Sequence, residues 1–409
     1  MDYTTLAETV EQKQTVQQTD AFSLYEAFEQ VSDGRKKRGR RYRLALILTL
    51  IVLAKLAGET SLSGVAQWVR ERKDLLIQRL HLPDATRFPC VATYSYVLRH
   101  VDAEELTNVI YHFFAQQEAK KRCGSEPSRL LKQNGREEKA HLALDGKTLR
   151  GTLQHESAEQ GPVHLLSLYE TSTGTVLAQH QVREKENEIS AVKTWLQAFQ
   201  VQDRIVSADA MHTQRYFCAM LRRFQSHYLL IAKKNQPQMY EDLQLFFEDP
   251  EADHSGWQSA KSCNKGHGRL ESREITTSTD LTSFFERDWQ DIAQVFRLQR
   301  SVIRKGKTSQ EVVYGLTSLP PKQADPARLL HLNRAHWQIE NRLHWRRDVT
   351  LGEDHSQVRK GQAPQVLAAL DNAVLSLADA LHISNLAAQM RTFAAHPEQA
   401  LALLLASNF

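Results

Sequence analysis

Cysteine is scarce in this chain, and it is badly placed for structural chemistry. Cys90, Cys123, Cys218 and Cys263 stand far apart in 409 residues and form no Cys-x-x-Cys pair. That spacing argues against a zinc finger and a disulfide scaffold, and it fits a reducing, cytoplasmic setting. Long apolar runs are missing too. The strongest, Leu44 to Ala57, is fourteen residues long and contains Lys55. A membrane span needs about 20 residues, so this run is expected as a buried helix and no membrane partner is expected. Residues 1–20 are polar, so they are expected to be a flexible N-terminus without a secretory leader. No phosphate-cradling glycine loop and no Ser-His-Asp elbow occurs. Nucleotide hydrolysis, acyl transfer and a small-molecule substrate are therefore without support. Nor is there a large excess of one charge: 52 Lys and Arg face 48 Asp and Glu, so total charge says nothing about nucleic acid.

The distribution of charge says more. Arg35-Lys36-Lys37-Arg38-Gly39-Arg40-Arg41-Tyr42-Arg43 holds seven cations in nine residues and no acid. Such a cluster suits a phosphate backbone; a solvated loop is the plainer reading. Around it, residues 21–123 read as helical. Segments are expected over Leu44–Leu56, Leu62–Leu80, Val91–His100 and Asp102–Lys121, with N-cap candidates in Gly58-Glu59-Thr60-Ser61. Short helices and tight turns beside a basic run fit an all-α, helix-turn-helix-like DNA-binding domain. The polar stretch 124–138, with Pro127 and Gly135, reads as a linker.

From residue 139 the pattern changes. Ala140–Leu144 is a strand candidate, and Pro162–Tyr169 and Thr175–Val182 form a hairpin about Glu170-Thr171-Ser172-Thr173-Gly174. A helix over Asn187–Phe199, a strand over Arg204–Ala208, a helix over Gln214–Phe224 and a strand over Tyr228–Ala232 follow. This order predicts an α/β RNase H-like core within residues 139–409. A β-rich insertion over about 238–320 interrupts it, marked by Val295–Val302, Glu311–Leu316 and the turn Lys305-Gly306-Lys307. C-terminal helices resume near Ala327 and end in the apolar stretch Ala363–Leu381.

Three carboxylates stand out in that frame. Asp145 lies at the end of His141-Leu142-Ala143-Leu144, Asp209 closes Arg204–Ala208, and Glu340 sits in the helical run His336–Trp345. Two aspartates from strands and a glutamate from a later helix can meet at one point. Acids so placed repel each other and are costly to bury together. Hard divalent cations, two Mg²⁺ or Mn²⁺ in their place, offset that cost. Two ions about 3.5–4 Å apart suit in-line displacement at a phosphodiester. Asp348, Glu353 and Asp354 compete for the third place; Glu340 is preferred because it adjoins apolar Ile339 on a fixed element.

His336, Glu340, His344 and Asp348 share one helical stripe. The stripe also permits a zinc site, although it is not the His-Glu-x-x-His of zinc hydrolases. Otherwise His336 and His344 flank the acid and touch phosphate. Trp337 and Trp345 are expected in core packing, with base stacking as the other reading. Lys233-Lys234-Asn235-Gln236-Pro237 and Gly266-His267-Gly268-Arg269 offer further cations to hold a DNA strand; a charged loop and a salt-bridged strand start are the plainer readings. Lys147 and Arg347 complete the expected DNA contacts.

At these residues the chain resembles the H-repeat-associated transposases, a DDE family of bacterial insertion sequences. The resemblance spans nearly the whole chain. It is carried by Gly34–Arg43, Leu144-Asp145-Gly146-Lys147-Thr148-Leu149-Arg150-Gly151, Glu184-Lys185-Glu186-Asn187-Glu188-Ile189, Ala208-Asp209-Ala210-Met211-His212-Thr213-Gln214, Tyr228–Pro237, His267-Gly268-Arg269, His336–Trp345, Gly352-Glu353-Asp354 and Gly361-Gln362-Ala363-Pro364. Related transposases carry a Tyr-Arg-Glu-Lys pattern, for which this chain has Asn333, His336, Glu340 and Arg347. The resemblance implies a helical N-terminal domain, an RNase H-like catalytic domain and a Mg²⁺-bound triad of Asp145, Asp209 and Glu340. It implies an enzyme that binds the terminal repeats of its element in double-stranded DNA, frees a 3′-OH and joins it to target DNA, as a homodimer or larger assembly. A metal-dependent nuclease without strand transfer, and an inactive or repurposed DNA-binding protein, are the alternatives.

Overall fold

A computed structural model describes residues 22–124, 139–153, 161–182, 187–199, 201–251, 253–266 and 268–407. The first part is helical: α1 (Leu24–Glu29), α2 (Leu44–Leu56), α3 (Leu62–Glu71), α4 (Lys73–Arg79), α5 (Val91–Leu98) and α6 (Ala103–Gly124). Each start has a local cause. A capping box closes α1, with Ser23 Oγ accepting from the Glu26 amide and the Glu26 carboxylate accepting from the Ser23 amide. Ser61 Oγ accepts from the Gly64 amide and starts α3. The apolar run of α2 is buried along its whole length, Lys55 included. The expected Leu62–Leu80 segment is two helices that part at Arg72.

The rest is built on one nine-stranded sheet in the order β3-β2-β1-β4-β5-β9-β8-β7-β6. Its strands are β1 (His141–Thr148), β2 (His164–Glu170), β3 (Thr175–Val182), β4 (Ile205–Ala208), β5 (His227–Ala232), β6 (Gln258–Gly266), β7 (Arg269–Ser278), β8 (Gln294–Arg304) and β9 (Lys307–Thr317). β1, β4 and β5 run parallel, and the β2–β3 hairpin lies antiparallel beside β1. Helices α7 (Glu188–Phe199), α8 (Arg215–Arg223) and α9 (Pro237–Glu248) pack on one face with Leu142, Leu144, Val206 and Ala208. Ala143, between two of those leucines, points the other way into a second core. That is the period-two alternation of a strand buried on both sides.

β6–β9 continue the sheet as an antiparallel meander joined to β5 through β9. The β-rich region therefore opens with a helix, α9, that the sequence pattern did not indicate. Gly266 ends β6 and Arg269 begins β7, so this glycine-rich stretch is the β6–β7 turn inside the insertion. His267, a candidate DNA contact, lies outside the described residues.

After the short α10 (Thr282–Phe285) come α11 (Pro326–His336), α12 (Ala363–Ala380), α13 (Leu386–Ala395) and α14 (Pro397–Leu405). Sixteen of the eighteen residues of α12 are buried, so it is surrounded rather than merely docked. It shares one core with α2, α6 and the Tyr169–Val176 side of the sheet. Between α11 and α12, Ile339–His344 and Arg346–Thr350 wind as wide π turns rather than as ordinary α-helix. The Leu351 amide there donates to the Arg346 carbonyl, five residues back. Such turns often mark functional sites.

Candidate active site

Strand register brings the two aspartates together. β1 and β4 pair in parallel up to Leu144 opposite Ala208; Asp145 is the next residue of β1, and Asp209 follows the last residue of β4. Neighbouring strands lie about 4.8 Å apart, so the two acids stand side by side where β4 ends, while β1 runs on to Thr148. The first π turn carries Glu340 against β1. Its carboxyl is pushed up from the ordinary range, first by loss of solvent and then by the charges of Asp145 and Asp209. Asp145 Oδ1 accepts from the Gly146 amide, and its Oδ2 lies 3.2 Å from His344 Nε2.

A chain of polar side chains backs this edge. Thr171 Oγ1 lies 3.2 Å from His141 Nδ1, His141 Nε2 lies 2.7 Å from Ser207 Oγ, and Ser207 Oγ lies 2.9 Å from His336 Nδ1. Burial lowers the His141 pKa to about 3, with His336 and His331 adding to the effect, so this imidazole is neutral. Burial likewise lowers His336, against the pull of Asp145 and Asp209.

A second support was not assigned a role from sequence. Glu188, at the start of α7, reaches His164 Nε2 at 2.6 Å and His212 Nε2 at 3.3 Å. Burial would raise its pKa, but the two imidazoles outweigh that and hold it near 2. Thr148 Oγ1 lies 2.8 Å from His164 Nδ1, and the His212 amide donates to the Asp209 carbonyl. The Glu188 clamp thus ties β1 and β2 to the turn that follows Asp209. Its only sequence signal was its place in Asn187-Glu188-Ile189.

Behind the π turns lies a buried ion network. Lys147 Nζ is held by Asp348 and, at 2.6 Å, by Glu353. Glu353 also receives Arg347 Nε at 2.9 Å, and Arg347 Nη1 reaches Asn372 at 3.4 Å. Burial pushes Glu353 up, yet Arg347 and Lys147 hold it near 2. Arg346 pairs with both oxygens of Asp379, at 2.9 and 2.7 Å. The Arg346-Arg347 pair is therefore a pair of internal anchors.

These contacts correct several expectations. Arg347 is 0% exposed, so its guanidinium has no face for a phosphate. Lys147 spends its charge on two carboxylates. Arg35 is buried, donates Nη2 to the Tyr42 carbonyl and pairs with Asp33 at 2.7 Å. Lys36, Lys37, Arg38, Arg40, Arg41, Lys233, Lys234 and Arg269 are exposed. Trp337 and Trp345 are 50% and 55% exposed, so neither packs the core as expected. In the stripe, His336 meets Ser207, His344 meets Asp145 and Asp348 meets Lys147, so the four side chains are not gathered on one zinc ion.

The same atoms decide whether the site suits a divalent cation. Asp209 and Glu340 have no cationic partner among the described residues, and both ring nitrogens of His344 are buried without a hydrogen bond. Unpaired oxygen donors suit a hard cation. No group of three or more His, Cys, Asp or Glu among the described residues, however, is gathered closely enough to hold one ion. The acids fit a divalent cation in kind and charge, and are not drawn together on one point. No helix among the described residues is long and apolar enough to cross a membrane.

Comparison with known proteins follows the same division of the chain. The family model described as Transposase DDE domain matches residues 136–377, and that described as DDE_Tnp_1-associated matches residues 25–114. The chain is 25% identical over 357 residues to "Putative transposase YncI" of Escherichia coli O157:H7, covering 87% of each chain. It is 28% identical over 247 residues to "H repeat-associated putative transposase YhhI" of Escherichia coli strain K12, covering 59% of this chain and 64% of that one. A solved structure titled "Cryo-EM structure of piggyBac transposase synaptic complex with hairpin DNA" aligns with a TM-score of 0.40 at 11% identity, over 92% of this chain and 81% of that one. A likeness that loose does not bear on function.

Proposed function

The chain belongs to the transposase DDE-domain family of insertion-sequence type, and from that we propose that Asp145, Asp209 and Glu340 are the acids with which it cleaves and joins DNA. One observation carries the assignment. Two parallel strands in register bring Asp145, within β1, beside Asp209, just after β4, and a glutamate on a π turn feels both of them; among the described residues neither Asp209 nor Glu340 has a cationic partner. We read β3-β2-β1-β4-β5 as an RNase H-like core and residues 139–409 as the catalytic domain, with β6–β9 as its insertion. Residues 21–123 are read as the DNA-binding domain and 124–138 as the linker.

The chemistry then divides among named residues. Asp145, Asp209 and Glu340 would hold two Mg²⁺ ions, or Mn²⁺, which supply activation of the attacking oxygen and charge stabilisation at the phosphodiester. His336, kept in place by Ser207, flanks the reacting phosphate, and His344, whose ring nitrogens are buried, supports Asp145 from behind rather than touching DNA. Exposed Lys36, Lys37, Arg38, Arg40 and Arg41 contact terminal-repeat backbone, and Lys233, Lys234 and Arg269 contact the strand near the acids. Trp337 and Trp345 offer stacking surfaces to unpaired bases. Two DNA ends must be processed together, so the working species is a homodimer or larger assembly.

The test is cleavage and joining of labelled DNA that carries the gene's own flanking ends, with Mg²⁺ and with EDTA. Wild type is compared with Asp145→Ala, Asp209→Ala and Glu340→Ala. Metal-dependent joined product is expected from wild type alone, with DNA binding retained by all four proteins. Nicked ends without joined product would reassign the chain as a nuclease. Binding without any cleavage would reassign it as a repurposed DNA-binding protein.

A further inference from the structure

A cavity of about 900 Å³ lies away from the three acids, where the N-terminal helices meet the segment between the π turns and α12. One wall presents Ser61, Ser95 and Arg99, and the other presents His355, Arg359 and Lys360. Among the described residues no aspartate or glutamate lines it, although the chain has 48 of them. A concave surface with cations, hydroxyls and no acid concentrates positive potential.

The far wall is fixed in place. Gly352 and Gly361 bound it, both in the left-handed region at φ +68° and +57°. A Cβ on Gly352 would stand 3.2 Å from Thr60 Cγ2, and one on Gly361 would stand 3.2 Å from the Arg99 carbonyl. Both glycines thus let the segment close against the N-terminal helices. They are also the glycines of Gly352-Glu353-Asp354 and Gly361-Gln362-Ala363-Pro364, to which the proposed chemistry gives no task. Between them, Arg359 Nε donates to the Gly151 carbonyl at 2.6 Å, just beyond β1. Arg99 Nη2 donates to Ser95 Oγ at 2.9 Å. Neither Arg99 nor Lys360 pairs with an acid among the described residues, and both are exposed.

We propose that this cavity seats the sugar-phosphate backbone of a DNA strand, with Arg99, His355 and Lys360 as phosphate contacts that bridge the N-terminal helices and the acid-bearing half. The proposal rests on the reading of the chain as a DNA-joining enzyme. The space is far larger than a lone phosphate fills. Cations on both walls suit a repeating polyanion that passes between them.

The experiment measures binding of the full chain to a labelled duplex of its flanking ends, in EDTA, across a salt series. Wild type is compared with Arg99→Gln/Lys360→Gln and with Lys360→Glu, and melting curves check that each variant stays folded. We expect binding roughly tenfold or more weaker, and for the double variant a log–log salt dependence shallower by about two, near one unit per lost contact. Wild-type affinity and slope in both variants would overturn the proposal. So would lost self-association with DNA binding intact, which would give the groove to a second copy of the chain. Failure of wild type itself to bind would instead bring down the DNA-joining reading, and this proposal with it.

Discussion

Gly146 shows how tightly the acids are supported. A Cβ built there would stand 2.6 Å from His164 Nε2 and 2.8 Å from Glu188 Oε1. Any side chain at this position must therefore part the clamp or move the strand beside Asp145. Overpacking of this kind costs about 1–3 kcal/mol. Gly146→Ala is expected to lose that much stability in denaturant unfolding and to lose most cleavage, while DNA binding persists. Full cleavage by the variant would mean that the clamp does not set the position of Asp145. The contrast with Asp145 shows what a sequence can reveal. Asp145 and Asp209 were visible because each follows an apolar run, although β1 continues past Asp145 to Thr148. Glu188, His164 and His212 act only through one another, across β2, α7 and the Asp209 turn, and no local pattern joins them. Arg347 misled for the same reason: a guanidinium read in sequence carries no sign that Glu353 will bury it.

The π turns are held at both ends by ion pairs. Arg342 and Arg346 reach Asp379 on α12, and Arg347 and Lys147 reach Glu353. Glu353 is the shared acceptor on the β1 side, so Glu353→Gln leaves Arg347 buried beside a neutral amide. Breaking a buried pair from one side costs about 3–5 kcal/mol. That loss is expected in denaturant unfolding, and a change below about 1 kcal/mol would show that Arg347 finds another partner. The strands were unequally legible for a related reason. β8 and β9 are central and carry apolar residues at the spacing of strands. β6, Gln258–Gly266, is an edge strand with no buried residue; its polar surface and Lys261 protect an open edge but remove the alternation that reveals a strand. The π turns were legible as helix and not as π, because their apolar spacing is shared by both.

The N-terminal helices and the sheet do not rest on separate cores. Leu48, Phe113, Tyr169 and Leu370 belong to one cluster, and Lys55 of α2 is buried against Asp371 of α12 at 2.7 Å. Protonation at any buried pair is therefore felt by the whole chain. Glu188 and Glu353 have folded-state pKa values near 2 against an ordinary 4.5. A depressed carboxylate binds its proton more weakly in the folded chain, so it adds stability above about pH 4.5 and loses it as pH falls toward 2. For buried Glu353 this is about 3 kcal/mol. Asp348, Asp371 and Glu340 are raised, mainly by burial. Their linkage runs the other way and acts above their ordinary values, so it cannot offset the acid limb. Stability is expected to drop steeply between pH 4.5 and 2, followed by thermal melts in a pH series. The same series on Glu353→Gln should start from a less stable protein and fall along a shallower acid limb, since one of the two carboxylates held near 2 is gone. An acid limb of unchanged steepness in that variant would mean that Glu353 is not held below its ordinary pKa in the folded chain.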